Sequence, residues 1–227
     1  MKLDPDALTA ARDRTLPDVL PAVGEPLRVL FCGINPGLYS AATGWHFARP
    51  GNRFWPALHL SGFTGRQLRP AEQDELTRYG LGITNIAPRA TAQAAELTAA
   101  ELRDGAVRLR ALAEARRPRF IAVLGVTAYR TAFARPKAVV GPQDEPLGPA
   151  RLWILPNPSG LNAHWLLPAL ASAFAELREA ATDVPPSNPA NVVDGPSTTQ
   201  EGGRWPIHRL HPAQSMATKV GYSSLLP

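Results

Sequence analysis

The sequence predicts a single α/β domain built on a mostly parallel central sheet flanked by helices. Three observations carry this expectation. Short apolar runs without helical period recur at residues 27–34 (LRVLFCGI), 81–86 (LGITNI), 119–124 (RFIAVL) and 151–155 (RLWIL). Segments with helical apolar spacing lie between them, and glycine- and proline-rich turns follow two of the runs. A strand that is apolar on successive residues is buried on both faces, as strands of a parallel sheet are, because crossover helices cover both sides. Alternating strands and helices close into that layered architecture.

Taken in order, residues 1–26 carry Pro5, Pro17, Pro21 and Pro26 and read as a short irregular or partly helical leader. The run 27–34 is the first strand, and residues 52–60 are a short helix. Residues 81–86 are strand-like. Thr98 followed by Glu101 forms a capping box, with Leu102, Ala106, Leu109 and Ala113 at helical spacing behind it. Residues 119–124 form a buried strand, followed by Gly125 and a short helix through Phe133. After the strand at 151–155, Pro168 stands in the first turn of a last helix that runs to Ala181. From Asp183 to the end, prolines and Asn, Ser and Thr runs replace apolar periodicity, so 183–227 are expected to be a disordered tail. Trp205, Ile207 and Leu210 are scattered within it. The functional domain is expected over 27–182.

The 227 residues carry a net charge of +5. Beyond residue 182, Asp183, Asp194 and Glu201 cancel Arg204, Arg209 and Lys219, so the whole excess sits in the body. A basic body suits a polyanionic partner, although a basic protein without one would look the same. The lone Cys32 excludes an internal disulfide and a four-cysteine metal or iron–sulfur site. Residues 1–14 show no signal-peptide pattern and no stretch has the length of a membrane span. These features lead to the expectation of a cytoplasmic, monomeric protein that meets no membrane.

Sites in parallel α/β folds lie beyond the carboxyl ends of the strands. After the first strand, Gly33-Ile34-Asn35-Pro36-Gly37 forms a tight, backbone-exposing turn with one polar side chain, Asn35. It lacks the Lys-Ser/Thr ending of a phosphate-binding loop, and on its own it reads as a structural turn with Asn35 as a turn former. After the last strand, 156–162 (PNPSGLN) is stiffened by two prolines and tipped by Leu161. Such a leucine either tucks against the following helix or serves as a wedge between base steps. Residues 44–55 (GWHFARPGNRFW) interleave aromatics with Arg and Asn, residue types that stack on bases and hold phosphates. Phe54 and Trp55 are expected to pack inward, whereas Phe47, among small residues and proline, is the better candidate for stacking.

Together these segments resemble the mismatch-specific uracil/thymine-DNA glycosylase family of the uracil-DNA glycosylase superfamily. The matching text is GINPGLYSA at 33–41, ARPGNRFW at 48–55, SGFTGRQL at 61–68, GITN at 82–85 with Arg89 and Thr91, and LPNPSGL at 155–161. The resemblance implies a monofunctional enzyme that hydrolyses the N-glycosidic bond of uracil, with ethenocytosine or thymine as related lesions. Its partner is double-stranded DNA holding G·U or related mispairs. Asn35 matches the catalytic asparagine that holds the attacking water. Phe47 matches the ring that stacks on the flipped base, and the backbones of Ile34 and Phe47 match the groups that read the uracil edge. Ser40 matches the neighbour of the pyrimidine 5-position, and Gly33 and Asn85 belong to the same base-binding set. Gly160 and Leu161 match the loop that fills the vacated stack and contacts the widowed guanine. Asn157, Ser159 and Asn162 share that DNA-facing loop.

The sequence departs from the family pattern in several places. Asn85 stands where some bacterial relatives have lysine, and Asn162-Ala163 replaces an arginine-bearing wedge end. Tyr39 is bulkier than the usual small residue, and His164 reads as a surface or capping histidine, with a second catalytic group as the alternative. The matched loops hold no carboxylate, cysteine or paired histidines, so neither a metal nor a cofactor is expected. They hold no lysine either, which leaves a Schiff-base step without a nucleophile. A non-catalytic lesion-binding module with the same pocket is the competing reading, because an amide is a feeble base. A hydrolase of small nucleotides fits the wedge and the basic charge less well.

Overall fold

The computed structural model describes residues 3–182, so the tail expected from residue 183 lies outside the described residues. The strands are β1 (Val29–Gly33), β2 (Leu81–Asn85), β3 (Phe120–Leu124), β4 (Gly141–Pro142) and β5 (Arg151–Leu155). They form one sheet in the order β2-β1-β3-β5-β4. Neighbours among β2, β1, β3 and β5 are parallel, and only the two-residue β4 at the edge runs antiparallel. The register pairs Gly33 with Asn85 and Leu124 with Leu155, which brings the carboxyl ends of the parallel strands to one side of the molecule.

Each face of the sheet has its own apolar layer because successive side chains point to opposite sides. Val29 and Phe31 of β1 pack with Phe120 and Trp153 under α3 (Phe54–Leu60) and α6 (Leu167–Thr182). Phe31 meets Phe54 and Phe63 edge-on at 5.4 and 5.3 Å and stacks on Phe174 at 5.7 Å. Leu30 and Cys32 pack on the other face with Ile121, Val123 and Ile154 under α4 (Ala99–Arg116) and α5 (Val126–Ala132). All five β1 residues are buried, as the unbroken apolar run requires. The capping box at α4 is formed: Thr98 accepts from the Glu101 amide, and the Glu101 carboxylate accepts from the Thr98 amide.

The boundaries move by a residue or two. The first strand is shorter than 27–34, and the helix expected from residue 52 begins at Phe54, with Arg53 at its N-cap and Asn52 before it accepting from the Phe54 amide at 2.9 Å. α1 (Pro5–Thr9) lies in the leader read as partly helical, and four elements carried no signal strong enough to foresee them: α2 (Leu38–Thr43), β4, a 3₁₀ turn at Ala94–Glu96 and a longer 3₁₀ stretch at Pro70–Tyr79. All except the last are too short for a period to register. The leader adds backbone to the sheet edge. Val19 exchanges two hydrogen bonds with Ile83 of β2, at 2.9 and 2.8 Å, and Ala11, Leu16 and Val19 are buried.

Candidate active site

A cleft of about 360 Å³ opens where the parallel strands end. Its walls include Gly33, Ile34, Asn35, Ser40, Phe47, Asn85, Asn157, Ser159 and Leu161, so residues from four separate segments meet there. Gly160 and Asn162 belong to the same loop as Leu161 but do not line this cleft. Asn162 and His164 face a neighbouring cavity of about 550 Å³ that shares Ile34, Asn157, Ser159 and Leu161. Among the described residues no Asp, Glu or Lys lines the main cleft. Among the described residues no group of three His, Cys, Asp or Glu side chains is arranged to hold a metal ion. Burial pushes the Cys32 thiol pKa up, so that sulfur is inert.

Asn35 is held by its amide nitrogen. Nδ2 donates to the carbonyls of Pro36 (3.1 Å) and Arg89 (3.0 Å) and to Thr91 Oγ1 (2.7 Å). Backbone carbonyls only accept, so the atom facing them is the nitrogen, and Oδ1 is turned the other way. Thr91 is buried, and its hydroxyl donates onward to the Gln93 carbonyl at 2.8 Å, which fixes it as an acceptor toward Asn35. Arg89 is anchored in turn. Its guanidinium donates to Glu101 at 2.5 Å and to Asp13 of the leader at 3.3 Å. That contact, with the Thr98 amide beside it, lowers the Glu101 carboxyl pKa to about 2.

Phe47 adopts a left-handed backbone conformation, φ 52°, and its ring stacks on Phe54 with centroids 4.1 Å apart. One face is thus backed by the core while the residue lines the cleft. Ser40 is buried, and its Oγ accepts from the Ala48 amide at 3.2 Å, tying α2 to the segment that carries Phe47. His46 is also buried. Its Nε2 lies 2.9 Å from the Pro17 carbonyl and therefore carries the proton, leaving Nδ1 as the lone-pair nitrogen 3.5 Å from Asn85 Nδ2. Burial lowers the His46 pKa, so the ring stays neutral at pH 7. Gly33 makes room for this group: a Cβ there would fall 2.5 Å from Asn85 Oδ1 and 3.4 Å from Phe47 Cζ.

The loop after β5 is held by its own polar side chains. Asn157 Oδ1 accepts from the Ser159 amide, Asn162 Nδ2 donates to the Asn157 carbonyl, and the Leu161 amide donates to Ser159 Oγ. The polar ends of Asn157, Ser159 and Asn162 therefore shape the loop, a use the sequence did not suggest. Leu161 does not tuck into α6: it is 71% exposed at the cleft. Gly160 allows the loop to press against its neighbour, because a Cβ there would lie 2.6 Å from the Gly51 carbonyl oxygen. Tyr39 opens the α2 segment beside Ser40, and His164 is exposed and lines only the neighbouring cavity.

The arginines of 44–55 were expected to hold phosphates, but Arg53 is turned to the backbone carbonyls of the loop after β5; Arg89 and Thr91 were quoted within a motif without a task, and His46 was unassigned. No local pattern predicts that Thr91 meets Asn35 across 56 residues of chain. The cleft is a slot of mixed polar and apolar walls with a backed aromatic ring, an immobilised amide and an exposed leucine at its edge. It can stack a planar heterocycle and hold a water molecule, and it offers no strong base.

Comparison with known families places this geometry. The model of the uracil DNA glycosylase superfamily matches residues 21–182, which includes the sheet, both strand-exit loops and α6. The chain belongs to the uracil DNA glycosylase superfamily.

Proposed function

We propose that the chain is a monofunctional mismatch-specific DNA glycosylase that hydrolyses the bond between uracil and its sugar in G·U mispairs and leaves an abasic site. Superfamily membership supplies the coarser part: DNA as partner and DNA glycosylase chemistry as the reaction class. The observation that carries the finer reading is Asn35, whose amide nitrogen is committed to three acceptors at the cleft that Phe47 lines.

In this reading the target nucleotide leaves the stack and its uracil lies on the free face of Phe47. Leu161 enters the vacated space, offsetting part of the unstacking cost. The backbones of Ile34 and Phe47 read the base edge, and Ser40 stands at the pyrimidine 5-position. Asn35 Oδ1 accepts a hydrogen bond from water and holds its oxygen toward the sugar carbon. An amide orients water and does not deprotonate it, so most of the acceleration comes from positioning and from a preorganised polar surround for the departing uracil anion. The C–N bond breaks, the water oxygen bonds to the sugar carbon, and its proton goes to solvent or to the base.

The test is single-turnover cleavage of a G·U duplex, with alkali used to reveal abasic sites, beside a binding isotherm at fixed salt. Asn35→Ala should lower the rate on the order of 10²–10⁴-fold and leave the affinity nearly unchanged. Binding without cleavage by the wild type would instead make the chain a lesion-binding module. Near-wild-type cleavage by Asn35→Ala would remove the assigned catalytic residue.

A further inference from the structure

Arg53 stands at the start of α3, yet its side chain reaches the loop after β5. The guanidinium donates to three backbone carbonyls there: Ser159, Asn162 at 2.7 Å and Trp165 at 2.5 Å. Its backbone amide donates to a fourth, Pro158, at 2.9 Å. These acceptors bracket Leu161 on both sides along the chain. The arrangement leaves Arg53 Nε buried without a hydrogen-bond partner among the described residues, a cost that an arginine turned out to water would avoid. Apart from Arg53, the loop is held by hydrogen bonds among its own residues Asn157, Ser159, Leu161 and Asn162. It belongs to no strand or helix, and Leu161 itself is exposed. A planar fork with donors in fixed directions spans several carbonyls at once, whereas an ammonium is a single point.

We propose that Arg53 is a positioning residue that acts through Leu161, fixing the direction of the wedge and so setting how well the chain acts on paired as opposed to unpaired DNA. The proposal rests on the glycosylase reading above. Single-stranded substrate leaves no hole to fill, so it does not need a directed leucine.

The experiment compares Arg53→Met, Arg53→Lys, Leu161→Ala and the double variant Arg53→Met/Leu161→Ala in single-turnover cleavage of uracil in a G·U duplex and in a single strand. Arg53→Met should slow duplex cleavage by about 10- to 100-fold, the order expected from a misplaced group, and single-strand cleavage by less than about threefold. Adding it to Leu161→Ala should cost less than about threefold more, because residues that act as one unit are not additive. Arg53→Lys keeps the charge but not the fork and should remain within about threefold of Arg53→Met. Hydrogen exchange supplies a readout that does not depend on activity. In Arg53→Met the amides of residues 159–165 should exchange about tenfold faster or more, while those of β1 and β3 keep their protection. Full additivity with Leu161→Ala, equal losses on both substrates, wild-type-like Arg53→Lys or unchanged loop exchange would each overturn the proposal. If the wild type cuts neither substrate, the glycosylase reading falls, and loop exchange alone decides whether Arg53 holds the segment.

Discussion

Replacing Thr91 by valine removes one hydroxyl that faces Asn35 while keeping the shape of a buried side chain. Asn35 Nδ2 loses its shortest contact, 2.7 Å, but keeps the carbonyls of Pro36 and Arg89, so the amide is loosened and not released. The Gln93 carbonyl also loses its donor, but Gln93 is exposed and water replaces it. The stability cost should therefore stay near the lower end for a lost neutral hydrogen bond, about 1 kcal/mol. In a domain of this size that lowers Tm by roughly 2–4 °C. The effect on catalysis should be larger in proportion. A loss of about 1.4 kcal/mol of orientation in the transition state is about tenfold in rate. Single-turnover cleavage of a G·U duplex should fall by about that factor, with an unchanged binding isotherm, because no proposed DNA contact uses Thr91. Thr91→Ser keeps the hydroxyl and should stay within about twofold of wild type. An unaltered cleavage rate in Thr91→Val, at the expected Tm shift, would show that the orientation of Asn35 does not limit the reaction and would refute the reasoning.

Other outcomes follow from the same contacts. Leu161→Ala should weaken action on duplex DNA by about tenfold or more and on single strands far less, because only the duplex has a hole to fill; equal losses would make the leucine a mere surface residue. The Glu101 carboxyl is held near 2 by Arg89 and the Thr98 amide, below its ordinary 4.5, so its contribution to stability is present above the ordinary value and is lost as pH falls toward 2. Glu101→Gln should flatten the acid side of a stability–pH curve in that window, as read from urea midpoints, and an unchanged curve would show that the ion pair adds nothing. Truncation after Thr182 should keep the single-turnover rate on a short duplex within about twofold, because the family match ends at residue 182 and a proline-rich composition favours no packed core; a tenfold loss would make residues 183–227 part of the site.

The strands were legible because burial on both faces demands unbroken apolar runs, and β1, β3 and β5 have them. The start of α4 was legible because a capping box is written in residues three positions apart. The strand-exit loops were legible because parallel sheets put their sites there and these loops contain glycine, proline and a solitary amide. The chain's own sequence thus determined the layered α/β architecture, the location of the cleft and the candidates Asn35, Phe47 and Leu161.

The restraint of those candidates was decided by tertiary structure alone. Arg53 grips carbonyls 106 to 112 residues further along, and a backbone carbonyl is the same group whatever the side chain, so no pattern of letters reveals it. His46 owes its tautomer to a carbonyl of the leader, and Asn35 owes its orientation to Thr91 and Arg89, which face it only once β1 and β2 lie side by side. Periodicity and turn chemistry are local and survive in the sequence. The direction in which an amide or a leucine points depends on which distant backbone atoms surround it, and only the folded chain supplies those neighbours.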